Sequence, residues 1–210
     1  MSAAAFHFIS CERESVMFKL KTFLIKERVG LLKLVDTFDI YDPATGAQVG
    51  IARENIGVVV KLLRMLINKR LLPTTVEVRE REDGRVLLTI SRGVTLLRSH
   101  VTVTDSVGKQ IGLLKSKVFS LGGGFDVLDQ LQQPVAEIKG DWKGWNFRFL
   151  TPDGHEIGKV TKKWAGLGKE LFTSADNYII ALNETAAIRP DAAPLLLAAG
   201  LAIDTVYNEK

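Results

Sequence analysis

The sequence contains one cysteine, Cys11, in 210 residues. A lone cysteine excludes an internal disulfide and a thiolate zinc site, because each needs a second thiol. A chain of this length can bury a large apolar core without covalent cross-links. Scarce cysteine is typical of a reducing compartment, and the N-terminal stretch lacks the basic start of a signal peptide. We therefore expect a cytoplasmic protein, either free or peripheral at a membrane.

Residues suited to catalysis or metal binding are also scarce. The three histidines, His7, His100 and His155, are far apart in the chain and form none of the spacings of a zinc site. Residues 122–124 are glycines, but they lack the Gly-Lys-Ser/Thr ending of a phosphate-binding loop and precede a predicted strand. Ser120 lies outside a Gly-x-Ser-x-Gly elbow. We predict that the protein is not an enzyme, has no cofactor and holds no metal.

The sequence lacks an apolar run long enough for a transmembrane helix. An apolar run at residues 192–203 has about a dozen residues, and as a helix it would measure about 18 Å against a hydrocarbon core of ~30 Å. A helix that is apolar on all sides and too short to span is usually buried in protein. We predict a core helix over about 191–204 with Asp204 at its exit. Its predicted core side chains are Leu195, Leu196, Leu197, Leu201 and Ile203.

Most of the remaining sequence consists of short alternating apolar and polar stretches joined by turns. Asp, Gly and Pro at the turns are typical of hairpins. Five such units are predicted, at residues 38–52, 76–90, 101–114, 125–138 and 147–160. Further strands near residues 23–28 and 178–182 bring the total to about twelve.

These strands predict an all-β fold with a central helix. An antiparallel barrel removes its exposed edges by closing, and about twelve strands make a barrel too wide for its own side chains to fill. We predict a closed antiparallel barrel of about twelve strands that encloses the hydrophobic C-terminal helix. It forms a single domain over residues 20–210, and residues 1–19 are a lead that we expect to be partly disordered.

A second helical pattern covers residues 58–73. Val60, Leu63, Ile67 and Leu71 follow the spacing of one helix face, and Pro73 is expected to end the helix. Two interpretations are open. The helix is either a connector packed on the barrel wall or an amphipathic helix that lies in the plane of a membrane.

Seven segments occur in an order that matches a known family. The most specific are GHEIGKVTKKW (154–164) and AIDTVYNE (202–209). The others are FLIKER (23–28), YDPATGAQVG (41–50), VTDSVGKQIGLLKSK (103–117), VFSLGGGFDVLD (118–129) and FTSADNYIIAL (172–182). Together they resemble the tubby-like C-terminal fold shared by phospholipid scramblases and LURP-one-related proteins, over about residues 20–209. The resemblance implies a twelve-stranded barrel around a hydrophobic C-terminal helix, and association with phospholipid.

The resemblance also identifies a segment to test for calcium binding. The acidic segment proposed as a calcium site in scramblases corresponds to residues 173–188, which keep Asp176 and Asn177. Calcium takes about six to eight oxygen ligands, commonly with several carboxylates, and this segment offers few. We interpret the two residues as a turn before a strand and expect no calcium dependence, with Asp176 as the residual candidate ligand.

Three segments carry basic residues and no acidic ones: 61–72, 109–117 and 159–169. Trp142, Trp145 and Trp164 accompany the third. Lysine clustered with tryptophan suits an anionic membrane surface, where each basic residue contributes about 1 kcal/mol; ordinary solvated surface is the alternative. The candidate lipid- or anion-binding residues are Lys61, Arg64, Lys69, Arg70, Lys115, Lys117, Lys159, Lys162, Lys163 and Trp164.

Two functions are therefore open. The first is a non-enzymatic, phospholipid-associated protein that binds anionic membrane surfaces through its basic segments. The second is a protein-interaction, scaffold or regulatory module without lipid transport activity. Net charge is only +4, and the sequence has no recognised nucleic-acid module, so we do not expect a nucleic-acid partner.

Overall fold

The computed structural model describes eight ranges of the chain: 15–28, 35–68, 71–94, 99–117, 124–141, 145–162, 177–183 and 192–207. Its strands are β1 (Thr22–Glu27), β2 (Thr37–Tyr41), β3 (Gln48–Glu54), β4 (Thr74–Arg79), β5 (Val86–Arg92), β6 (His100–Asp105), β7 (Gln110–Ser116), β8 (Gly124–Asp129), β9 (Pro134–Asp141), β10 (Asn146–Leu150), β11 (Glu156–Thr161) and β12 (Asn177–Leu182). Its helices are a 3-10 helix (Val16–Lys19), α1 (Val58–Leu63) and α2 (Ala192–Tyr207).

The twelve strands form one closed antiparallel barrel. Each strand pairs with its neighbours in sequence, and β12 closes the ring on β1 with Ile25 opposite Tyr178. Alternating side chains of the strands face the interior, as in the buried–exposed alternation of β4 and β6. The predicted barrel and its five hairpins are confirmed.

Connections between the strands alternate between the two ends of the barrel, because neighbouring strands run in opposite directions. We call one end the hairpin end; there short turns join β2 to β3, β4 to β5, β6 to β7, β8 to β9 and β10 to β11. The other end, the loop end, carries the connections β1–β2, β3–β4, β5–β6, β7–β8, β9–β10 and β11–β12.

Aspartate side chains order the turns of the hairpin end. Asp42, Asp105 and Asp129 each accept a hydrogen bond from the backbone N–H two residues ahead, over 2.9, 3.0 and 2.9 Å. In the β8–β9 turn, Gln132 takes the left-handed conformation with φ of 63°, a role that glycine commonly fills. This end of the barrel is therefore a set of tight, internally bonded turns.

Helix α2 fills the barrel. Leu195, Leu196, Leu197, Leu201 and Ile203 are each at most 1% exposed and pack in one core cluster with the inward side chains of the strands. A Cβ atom at Gly200 would lie 2.5 Å from Ile180 Cδ1, so a small residue lets the helix approach β12 closely. The predicted core residues are confirmed as buried.

The prediction that Asp204 marks the exit of the helix is wrong. Helix α2 continues to Tyr207, and Asp204 is 4% exposed within it. One polar side chain does not end a helix, since the end is set by unpaired backbone groups and their caps. Val206, two residues beyond Asp204, still packs against the core.

The 3-10 helix contributes to the core at the hairpin end. Met17 is 1% exposed, and its sulfur would lie 2.7 Å from a Cβ placed at Gly50, near the start of β3. Partly buried Phe18 and Leu20 pack against the same cluster. Packed structure therefore begins before residue 20, where the barrel domain was predicted to start.

The second predicted helix is much shorter than expected. Helix α1 ends at Leu63, and residues 64–66 form a turn with Met65 N–H bonded to Leu62 O over 3.1 Å. In the apolar stripe, Ile67 and Leu71 are 40% and 41% exposed, whereas Val60 and Leu63 within α1 are half-buried. Arg64 also binds the barrel, as described next.

Candidate functional site

An exposed apolar segment, residues 58–67, projects from the β3–β4 connection at the loop end. None of the side chains of α1 is buried. The most exposed large apolar side chains run from Leu62 at 60% to Leu66 at 86%, with Val58, Val59 and Met65 between these values. Contiguous exposed apolar surface of this kind marks a site of interaction with a protein or a membrane.

A buried ion pair attaches this segment to the barrel. Arg64 donates from Nη1 to Glu54 Oε2 over 2.7 Å and from Nη2 to Glu54 Oε1 over 3.0 Å. The Glu54 side chain is fully buried and that of Arg64 is 7% exposed. Nη2 also donates to Thr74 Oγ1 over 3.2 Å, and Glu54 Oε2 accepts the Asp36 N–H over 2.9 Å. The last residue of β3 and the first of β4 are thereby tied to the segment.

The pair explains why the apolar side chains face outward. Arg64 points into the barrel end, so its neighbours Leu62, Met65 and Leu66 are directed to the opposite side of the turn, where they are 60–86% exposed. Arg64, a predicted anion-binding residue, has its guanidinium committed to Glu54. It acts as an anchor for the segment and is not available to a headgroup while the pair is intact.

Lys115 and Lys117 of the second basic segment have separate surroundings. Lys115 donates to Gln132 Oε1 over 3.3 Å, so its ammonium reaches toward the hairpin end. Lys117 lies between Asp126, at 3.0 Å, and Glu137. Burial lowers the pKa of Lys117, but hydrogen bonds to both carboxylates outweigh it and leave the pKa raised. The charge of Lys117 is therefore balanced locally.

Lys159 lies on the outer wall of the barrel. It faces Arg148 of β10 in register, and Arg148 faces Lys139 of β9. Like charges directly opposed across strands repel one another. The repulsion on Lys139 is reduced by an ion pair, since its Nζ lies 2.8 Å from Glu137 Oε2. This wall is separated from the apolar segment by strands β12, β1 and β2.

Lys162 lies at the loop end, just after β11. Its ammonium is 4.5 Å from the centre of the Trp145 ring, a cation–π contact. Trp145 is 8% exposed and stacks on Tyr178 with ring centres 5.2 Å apart. Trp145 accompanies Lys162 of the third basic segment, but as a core residue it does not expose its ring to a membrane interface.

The predicted cations that the structure describes therefore lie at more than one place on the barrel. Lys61, Arg64, Lys117 and Lys162 lie at the loop end, Lys159 lies on the wall, and Lys115 reaches toward the other end. The candidates Lys69, Arg70, Lys163, Trp164 and Asp176 lie outside the described residues.

The described ranges contain no group of three or more His, Cys, Asp or Glu side chains arranged to hold a metal. No helix in the same ranges combines the length and apolar character needed to cross a membrane.

A cleft of about 320 Å³ lies beside α1, on the outer face of β3 and β4. Lys61 and Arg53 both line it. Arg53 is not among the predicted cations, because these come from segments without acidic residues and Arg53 is followed by Glu54. The signal was present in the alternation of β3, where Ala52 and Glu54 are buried and Arg53 is exposed.

Residues 36–210 match the protein-family model described as Scramblase. No solved structure matches the chain. The matched range includes β2 to β12, α1 and α2, and with them the apolar segment and the cleft.

Proposed function

Because the chain belongs to the scramblase family, we propose that it is a non-enzymatic, phospholipid-associated protein that docks on anionic membranes through its loop end. The apolar segment at residues 58–67 carries the proposal. It exposes several large apolar side chains and is held in place by the buried Arg64–Glu54 pair.

The composition of this region favours a membrane over a protein as its partner. Residues 55–73 contain the apolar side chains and three basic residues besides the anchor Arg64, with no acidic one. Apolar side chains beside basic ones are typical of segments that lie in the membrane interface. Lys61, within α1, would meet anionic headgroups at the depth where Val58 and Leu62 enter the lipid.

The energies of such docking can be compared. Transfer of a large apolar side chain from water contributes about 1.5–3 kcal/mol when its burial is complete. A basic residue near an anionic surface contributes about 1 kcal/mol. Insertion of the apolar side chains is therefore expected to supply most of the affinity, and the cations the preference for anionic lipid.

The proposal stops at surface association and does not include lipid translocation. The barrel interior is occupied by α2, whose side chains from Leu195 to Ile203 are almost completely buried. A filled barrel of this kind is suited to binding at a surface.

Vesicle flotation tests the proposal. The wild-type protein should float with phosphatidylcholine vesicles that contain phosphatidylserine, and less with phosphatidylcholine alone. A triple variant, Val59→Ser, Leu62→Ser and Leu66→Ser, should lose about a hundredfold or more in partitioning, given the transfer energies of three such side chains.

The hairpin end provides a matched control. Val107 and Leu131 lie in its turns and are 75% and 70% exposed. Val107→Ser with Leu131→Ser should float as the wild type does. Equal recovery of the wild type on neutral and anionic vesicles, or equal losses in both variants, would count against docking by the loop end. A protein partner retained without lipid, and lost in the triple variant, would favour the interaction-module alternative.

A further inference from the structure

The cleft beside α1 has the size and position of a small-ligand site. Its volume, about 320 Å³, lies at the lower end of the range of small-molecule pockets. The residues that line it include Ile51 and Arg53 of β3, Glu77 and Arg79 of β4, and Lys61 of α1.

The carboxylates of the cleft already have cationic or amide partners. Glu77 accepts from Arg79 Nη2 over 2.6 Å and from Asn55 Nδ2 over 2.8 Å. These hydrogen bonds, that of Asn55 first, keep the pKa of Glu77 below its usual value despite partial burial. Glu54 is paired with Arg64, and Glu82 lies 3.4 Å from Arg28 Nη1.

Two cations are left over. Within the described ranges, Arg53 and Lys61 make no ion pair, and both border the cleft. Arg79, by contrast, is committed to Glu77 and to the carbonyl of Gly84 at 2.8 Å. The cleft is lined by three carboxylates and three cations, and Arg53 and Lys61 are the two of these cations without an ion pair in the described ranges, so they are the ones suited to contact a bound anion.

Exposed apolar side chains follow the chain directly beside Lys61. Val58 and Leu62 stand three residues before and one residue after Lys61, and they are 71% and 60% exposed. A ligand held at this point would have its anionic part in the cleft and its apolar part along α1. A phospholipid has that arrangement of a phosphate headgroup and acyl chains.

We propose that the cleft binds the phosphate-bearing headgroup of an anionic phospholipid, with Arg53 and Lys61 as the two cations that contact it. This assignment rests on the proposed function and adds a defined headgroup site to it. Arg53 would form the fork of parallel hydrogen bonds that suits a phosphate. Lys61 would supply a second charge from α1, so that headgroup binding and insertion of the apolar segment reinforce each other.

The test uses the full chain and a lipid soluble as single molecules, dihexanoyl phosphatidylserine below its micellar concentration. Binding is followed by calorimetry and by NMR shifts, with inorganic phosphate and glycerol 3-phosphate as competing probes. Arg53→Gln and Lys61→Gln should each weaken lipid binding about tenfold, as expected for the loss of a charge-assisted contact. Lys109→Gln, which removes an exposed cation at the hairpin end, should leave it unchanged.

Each result has a definite meaning. NMR shifts confined to residues around Arg53 and Lys61, with free phosphate binding much more weakly than the lipid, would support the assignment. Equal binding of inorganic phosphate and lipid would overturn it in favour of a simple phosphate site. Unchanged affinity in both variants would overturn it as well.

The same variants separate this proposal from the proposed function. If the wild type floats on anionic vesicles but Arg53→Gln and Lys61→Gln bind the soluble lipid normally, surface docking stands and the headgroup site fails. If the wild type does not float at all, the proposed function itself fails.

Discussion

Removal of the Arg64 charge should destabilise the protein because the buried Glu54 carboxylate loses its Arg64 partner. The Glu54 side chain is fully buried, and Arg64 supplies two of its hydrogen bonds, over 2.7 and 3.0 Å. Loss of one partner of a buried ion pair costs about 3–5 kcal/mol. For a chain of this size that corresponds to a fall in Tm of roughly 6–20 °C.

The experiment is a double-mutant cycle measured by urea unfolding. Arg64→Met keeps most of the side-chain length, and Glu54→Gln keeps an oxygen for the Asp36 N–H. Each single variant removes the Arg64–Glu54 ion pair and keeps one of its two buried charges. The double variant removes both charges, so it should recover much of the loss, with a coupling energy of about 0.5–3 kcal/mol.

An exposed pair serves as the control for this cycle. Arg81 and Asp83 lie 3.6 Å apart at the hairpin end, and their side chains are 80% and 90% exposed. Arg81→Met should change stability by no more than about 1 kcal/mol. Equal effects of Arg64→Met and Arg81→Met, or losses that simply add in the double variant, would refute the role of the buried pair.

Hydrogen exchange shows whether the loss includes the apolar segment. The N–H groups of Lys61 and Ile67 bond to Gly57 O and Leu63 O over 3.1 and 2.8 Å. These amides should exchange faster in Arg64→Met than in the wild type, because the turn loses its attachment to the barrel. Unchanged exchange there would mean that Arg64 does not hold the segment.

Two further predictions concern the core helix and the response to pH. Leu197→Asp should abolish soluble folding, since an unpaired charge in an apolar core is very costly, whereas Leu197→Met should cost less than about 1.5 kcal/mol; a folded Leu197→Asp protein that had lost only vesicle binding would show that α2 is a membrane anchor. Hydrogen bonds from Lys117 and Lys139 lower the pKa of Glu137 from 4.5, so its stabilising effect is present above the unfolded pKa and is lost as pH falls through the lower folded value. Glu137→Gln should therefore reduce the urea midpoint at about pH 7 and reduce it progressively less as the pH is lowered below 4.5, and a reduction that does not change with pH would contradict the shift.

The barrel was predictable because its signals are local and repeated. Each hairpin carries its own alternation and its own turn residues, as Asp105 and the residues around it illustrate. An apolar helix such as α2 must be buried, and a barrel of about twelve strands offers its interior as the place for it. Local chemistry and the global fold agree at these positions, which is why a short pattern was sufficient.

The site was harder to predict because charge is paired by tertiary contacts. Arg64 and Lys61 belong to the same acid-free segment, yet one is bound to Glu54 and the other faces an open cleft. The sequence predicts Lys117 as an anion-binding residue, but in the fold it pairs with Asp126 of β8 and Glu137 of β9. The length of α1 was overpredicted for a related reason, since helical spacing cannot show that Arg64 turns inward.

The order of elements along the chain has a consequence for biosynthesis. Helix α2 follows all twelve strands in the chain. Strand β1 cannot complete its pairing until β12 has been made, because Thr22 pairs with Ala181. Most of the strands are therefore synthesised before the segment that fills their interior. During that interval the inward faces of the strands have no core to cover, and long-range pairing of this kind is slow. The inward apolar faces of a newly made chain therefore stay uncovered until α2 is made and the ring closes around it.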